Sequence, residues 1–371
     1  MELPFKADQV GSYLRPPSVK QARVNYKAGK IDAVALRQAE DEAILTALDK
    51  QVSSGIDVFS DGEFRRTGFQ WDLIEAVEGY VNTDVPVVER MWQGRPGEDQ
   101  PVQQGTSQAV GARLKQLHRL TVDQFAFLKQ HANGPVKMTV PSANQFPTLG
   151  FQKGLTDQYY KNRSELLWDI AGIIRSEIAA LADDGVPYIQ IDAPRYSYFV
   201  DPKWRDHLTS LGEDPDTLFE EAVAADAYCL AGADGCDVVT ALHVCRGNNQ
   251  SMWYAQGGYD RIAEKLFGEL KVDRLLLEYD TERSGTFEPL RYVRPETTVV
   301  LGLVSTKNQK METQDELLRR IDEASKFVPL ERLALSPQCG FASTESGNAM
   351  TEDQQWRKLE LVVKTARRAW G

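Results

Sequence analysis

Short runs of apolar and β-branched residues, ending in Gly, Asp, Ser or Pro, alternate along the chain with longer stretches whose apolar residues recur every three to four positions. The first pattern is that of strands and the second that of amphipathic helices, so their alternation predicts repeated βα units around a parallel sheet. Eight strands are expected, at 9–14, 57–62, 136–141, 188–193, 238–244, 274–279, 298–304 and 332–337. The clearest helices are expected at 32–53, 164–183, 215–230, 259–270, 313–327 and 351–370. This rhythm predicts one α/β domain over residues 1–371, a (β/α)8 TIM barrel. An open doubly wound sheet is disfavoured because no GxGxxG turn or P-loop marks a nucleotide crevice.

The rhythm breaks between the second and third strands. Residues 81–134 are long, rich in Gln, Gly, Pro and Val, and carry MWQGRPGEDQPVQQG at 91–105. An insertion over the barrel mouth is expected there. It would serve as a lid or binding arm, or as a hairpin that packs or mediates a homo-oligomer.

Composition narrows the function classes. Hydrophobic residues make up 42% and charged residues 26%, as in a globular protein. No run of eighteen apolar residues could span a bilayer, so no membrane partner is expected. The opening MELPFKADQVGS lacks the basic and apolar regions of a secretory signal, which predicts a cytoplasmic protein. The cysteines, Cys229, Cys236, Cys245 and Cys339, are too few and too scattered for a disulfide framework, leaving free thiols or metal ligands. A net charge of −11, with basic residues grouped only as doublets such as Arg65-Arg66, argues against nucleic acid as a partner.

The candidate chemistry sits at strand ends. In VVTALHVCRGNN, His243 and Cys245 are two residues apart, and strand geometry turns both to one face. Alone the pair is weak, since a buried cysteine is commonly a small hydrophobe and a buried histidine a core residue. Glu278, however, closes the strand RLLLE, and Cys339 follows the last strand in SPQCG. In a barrel these ends meet on one rim, so His243, Cys245, Glu278 and Cys339 form a candidate metal set. Two thiolates and an imidazole suit zinc, whereas calcium and magnesium take oxygen shells.

These residues, with VGSYLRP at 10–16, SDGEF at 60–64, IQIDAP at 189–194, HVC at 243–245, LLLE at 275–278 and SPQCG at 336–340, resemble the cobalamin-independent methionine synthase family. The resemblance covers nearly the whole chain and corresponds to the C-terminal barrel of full-length members, which carry a second barrel ahead of it. It implies a zinc-dependent transfer of a methyl group to homocysteine. It also implies that Glu63 and Asp192 hold the ammonium of homocysteine and that the Gly11–Ser12 backbone meets its carboxylate.

The plainer readings are a salt bridge of Glu63 with Arg65 or Arg66, a helix-capping role for Asp192, and a glycosidase pair of acids. The strand LGLVSTK places Val304 where the family's leaving-group histidine is expected, which leaves the donor between a methylfolate and a methylcorrinoid. Trp253 is a candidate for stacking a flat donor. A zinc-dependent alkyltransferase for another thiol, such as an epoxyalkane:coenzyme M transferase, is the alternative, with Arg15, Arg65 and Arg195 as candidate partners of the sulfonate.

Overall fold

A computed structural model describes residues 5–83, 92–94 and 107–371. Its centre is a six-stranded parallel sheet in sequential order: β3 (Lys137–Pro141), β4 (Tyr188–Asp192), β5 (Val239–Val244), β6 (Arg274–Glu278), β7 (Thr298–Val304) and β8 (Leu333–Pro337). These are six of the eight expected strands, each within a residue of its expected bounds. Nearly all their residues are buried, as befits parallel strands covered on both faces, which explains why LLL and VVLGLV read as continuous apolar runs.

The first two expected strands, 9–14 and 57–62, do not form as strands. They are segments held by single bridges: Ala7 to Leu335 of β8, Ser12 to Gly62, and Phe59 to Val136 beside β3. The physical reason is that buried side chains take many of their carbonyl groups. Lys137 takes Gln9 O, Gln190 takes Val10 O at 2.9 Å, Ser60 takes Gly11 O at 2.6 Å, and Gln9 takes Val58 O at 2.7 Å. An apolar alternation cannot distinguish such a segment from a ladder strand.

Two hydrophobic clusters result. Phe5, Val10 and Val58 of these segments meet Tyr188, Ala241, Leu276, Val300 and Ala334 of the strands in an inner cluster. A larger one lies between the strands and the helices. The helices begin where local chemistry dictates. Asp32, Asn162 and Asp214 cap Ala33–Ser54, Arg163–Asp183 and Pro215–Leu230, and capping boxes at Thr313/Glu316 and Thr351/Gln354 start Gln314–Ser325 and Glu352–Trp370.

Of the expected insertion at 81–134, residues 84–91 and 95–106 lie outside the described residues. The flanking strands β1 (Val77–Thr83) and β2 (Ser107–Gln116) pair antiparallel. Residues 92–94 return to the domain, where Gln93 and Trp253 exchange backbone hydrogen bonds of 2.7 and 3.0 Å. No helix among the described residues is long and apolar enough to cross a membrane.

Candidate metal and substrate site

Sheet register builds the site. Pro141 of β3 lies opposite Asp192 of β4, and Asp192 opposite His243 of β5, so the acid and the imidazole emerge side by side at the strand ends. Cys245 follows one residue beyond β5. Cys339 follows β8 and reaches the same place because Asn248 Nδ2 donates to Gly340 O at 2.7 Å, tying the turn after β8 to the loop after β5. Lys307 braces that loop, donating to Gly247 O at 2.6 Å and Asn248 Oδ1 at 3.2 Å. Gly340 is needed for the approach, since a Cβ there would lie 1.9 Å from Ser12 Oγ.

The donor atoms of His243, Cys245 and Cys339 all lie within 4.8 Å of one another, and all three residues are buried. Both ring nitrogens of His243 are buried without a hydrogen-bond partner, a costly state that a bound cation would relieve at one of them. The two thiols are shifted in opposite directions. A hydrogen bond from Cys245 holds the Cys339 thiol well below the usual cysteine range against the effect of burial, with His243 assisting. The same contact, with burial, pushes Cys245 well above it. Burial disfavours the imidazolium of His243, yet the Cys339 sulfur, Asp192 and Glu278 together raise its pKa. One imidazole and two cysteine sulfurs with this preference for a positive neighbour are a donor set for a soft divalent metal.

Glu278, expected as the fourth ligand, does not join this group. Its Oε1 accepts from Arg283 Nη2 at 2.6 Å and its Oε2 from the Arg246 N–H at 3.0 Å. Burial opposes its ionisation, but Arg283, Lys307 and Arg246 hold its pKa below the ordinary glutamate value. The sequence places Glu278 correctly at a strand end. Arg283, five residues on, engages the carboxylate.

The expected substrate residues do converge. A cleft with about 600 Å³ of unfilled space is lined by Ser12, Glu63, Asp192, His243, Cys245 and Cys339. A Cβ on Gly11 would stand 3.7 Å from Glu63 Oε1, which places that backbone beside the acid. Glu63 adopts a left-handed φ of 58°, a strained conformation for a side-chain-bearing residue, costing about 1–2 kcal/mol. Asp61 Oδ1 accepting its N–H at 2.8 Å and Arg15 donating to its carbonyl at 2.8 Å hold it there. Its Oε2 is buried without a hydrogen-bond partner, while Arg66 stands 3.9 Å from Oε1, a loose form of the expected salt bridge. Burial raises the pKa of Glu63 against the pull of Arg66 and Arg15, and burial raises Asp192 to about 7, with His243 opposing and Glu63 adding to the rise.

Three aromatic residues that sequence reasoning leaves out, Phe69, Trp92 and Tyr254, also line the cleft. Trp92, from the 92–94 segment, meets Tyr254 edge-on at 5.1 Å, and both line the cleft that the two cysteines line. The only hint in the sequence is the expectation that the insertion lies over the mouth. Trp253, the candidate stacking residue, is otherwise engaged. Arg283 lies over its ring at 4.6 Å, and Gly94 packs so close that a Cβ would fall 1.8 Å from it.

The three arginines considered for a sulfonate point elsewhere. Arg15 donates to the carbonyls of Glu63, Arg66 and Ala342, Arg65 pairs with Asp41, and Arg195 packs over the Tyr198 ring in a separate pocket. Among the described residues no lysine or arginine lines the cleft.

Comparison with known proteins gives a consistent picture. The profile of the family described as "Cobalamin-independent synthase, Catalytic domain" matches residues 5–367. The uncharacterized protein YxjG of Bacillus subtilis (strain 168) is 41% identical over 378 residues, covering 99% of this chain and 95% of that protein. A methionine synthase of Saccharolobus solfataricus is 25% identical over 332 residues, 89% of this chain and 86% of its own length. The crystal structure of a putative vitamin-B12 independent methionine synthase from Listeria monocytogenes superposes with a TM-score of 0.75 at 30% identity, covering 100% of this chain and 99% of that one.

Proposed function

The chain belongs to the cobalamin-independent synthase family, matching its catalytic domain over residues 5–367, and on that premise we propose that it is a zinc-dependent S-methyltransferase that converts homocysteine to methionine. Membership makes it an enzyme of the methyltransferase class. The observation that carries the finer reading is the buried His243, Cys245 and Cys339 cluster, set beside two acids with raised pKa values in one cleft. In this reading residues 1–371 are one cytoplasmic (β/α)8 barrel with 81–134 inserted over its mouth. The bridges of the 7–12 and 59–62 segments to β8 and β3 support the closed ring, and Trp92 at the cleft supports the position of the insertion.

His243, Cys245 and Cys339 would hold the zinc, with Glu278 as an exchangeable fourth donor. When bound, zinc supplies the Lewis acidity that keeps an incoming thiol, ordinarily near pKa 8.5, as the nucleophilic thiolate at neutral pH. The chain's own residues do the rest. Asp192 and Glu63 accept the ammonium of homocysteine, the Gly11–Ser12 backbone meets its carboxylate, and the three-carbon span between head and sulfur delivers the thiolate to the cysteines. The sulfur attacks the methyl carbon, a new S–C bond forms, and the donor's bond breaks with its electron pair leaving on the donor.

A cleft bearing acids and no described cation favours an amino-acid thiol over the sulfonate of coenzyme M. Val304 offers no proton to the leaving group. Methylcorrinoid therefore stands beside methylfolate as donor.

Incubating zinc-loaded protein with homocysteine and either methyltetrahydrofolate or methylcobalamin should give methionine by mass spectrometry. No methionine from either donor, together with a coenzyme M thioether from epoxypropane, would replace this reading with the alkyltransferase alternative.

A further inference from the structure

Beneath the cleft the inner face of the sheet also carries buried polar side chains among its apolar ones, and several of their hydrogen bonds meet at one of them. Gln190 stands at the middle of β4, fully buried, between Thr139 of β3 and Ala241 of β5. Such a position in a parallel sheet ordinarily carries an aliphatic residue, and a buried amide must be satisfied at both ends. Lys137 satisfies one end. Its Nζ donates to Gln190 Oε1 at 2.9 Å, to Asp8 Oδ1 at 2.6 Å and to the Gln9 carbonyl.

An ammonium can only donate, so the amide must turn its oxygen to Lys137 and its nitrogen away. That nitrogen has two hydrogens and two acceptors: Asp192 Oδ1 at 2.8 Å and Val10 O at 2.9 Å. The first is the carboxylate assigned to the substrate's ammonium. The second is the peptide carbonyl immediately before Gly11–Ser12, assigned to the substrate's carboxylate.

We propose that Gln190 is the positioning residue of the amino-acid end of the site, one amide that holds both halves of the zwitterion's receptor at a fixed spacing. It touches no substrate. It sets where Asp192 directs its remaining oxygen and where the backbone leading into Gly11–Ser12 lies. Lys137 fixes the sense of the amide. Lys137 is in turn held by Asp8, which also accepts from Tyr188 Oη at 2.9 Å and lies 3.4 Å from Arg274 Nε. The inner polar network is therefore part of substrate recognition as well as of the core, and it acts on the head of the thiol and not on its sulfur.

The inference rests on the homocysteine reading above, and its test separates the two. Zinc-loaded full-length protein is titrated calorimetrically with homocysteine and with 1-propanethiol, which has the same sulfur and carbon chain but neither charged group. Two variants are compared with the unaltered chain. Gln190→Met keeps the length and removes both donors, and Gln190→Asn keeps an amide that is one methylene too short to span its partners.

Both variants are expected to bind homocysteine ~10–100-fold more weakly, the range for losing a supporting hydrogen-bond partner. Their affinity for 1-propanethiol and their zinc content should stay unchanged. Should Gln190→Met fail to fold, Gln190→Asn decides alone. Unchanged homocysteine affinity, or an equal loss for both thiols, overturns the positioning role while leaving the homocysteine reading intact. An unaltered protein that does not prefer homocysteine to 1-propanethiol overturns both.

Discussion

Cys339→Ala is expected to abolish stoichiometric zinc and methyl transfer together. Loss of a partner outside the coordination shell already costs a metal site about 10–100-fold in affinity, and loss of one of three clustered donors should exceed that. Cys339 is also the sulfur whose pKa Cys245 and His243 lower, so the alanine removes the thiol of the cluster that ionises most readily. Both neighbours lose a group they interact with, since the Cys339 sulfur acts on the pKa of Cys245 and of His243. Metal analysis of the purified variant and turnover with homocysteine check this. Full zinc with full turnover would contradict the assignment of Cys339.

Asp192→Asn should separate substrate binding from metal binding. A buried hydrogen bond to a charged group contributes about 1.5–3 kcal/mol, so the KM for homocysteine should rise ~10–100-fold while zinc stays stoichiometric. The unaltered enzyme should show the same weakness in acid. Burial raises Asp192 to about 7, and below that pH the carboxyl takes up a proton and no longer attracts an ammonium. Homocysteine affinity should therefore fall as pH drops, with a midpoint displaced downward by a cation beside His243, and this component should be missing from the Asn variant. A variant with tighter homocysteine binding, or a pH profile identical to that of the unaltered enzyme, would refute the ammonium role.

The site was legible in the sequence wherever strand geometry carries the information. His243 and Cys245 share a face because side chains alternate along β5, and Cys339 and Glu278 could be assigned to the same rim because they end or follow parallel strands. What one residue does to another across the fold was not legible. Arg283 pairs with Glu278, which stands outside the His243–Cys245–Cys339 group, an arrangement that no spacing rule expresses.

The segments at 9–14 and 57–62 carry a strand's apolar pattern, yet several of their carbonyls bond to Lys137, Gln190, Ser60 and Gln9. Lys137 and Gln190 come from elsewhere in the chain, and Ser60 and Gln9 each from the other segment some fifty residues away, so the departure from a ladder is invisible locally. Gln190 and Lys137 were passed over for the same reason, since a polar residue inside a strand acquires meaning only from the neighbours that satisfy it. Trp92 became part of the cleft through a backbone pairing of Gln93 with Trp253 that joins distant stretches of sequence.

The most direct measurement is X-ray absorption at the zinc edge of the loaded protein, before and after homocysteine is added. The account predicts a shell containing one nitrogen and two sulfurs, completed by a lighter atom, that gains a third sulfur on addition of the thiol. A spectrum that does not change with homocysteine, or a protein that retains no zinc, would contradict it.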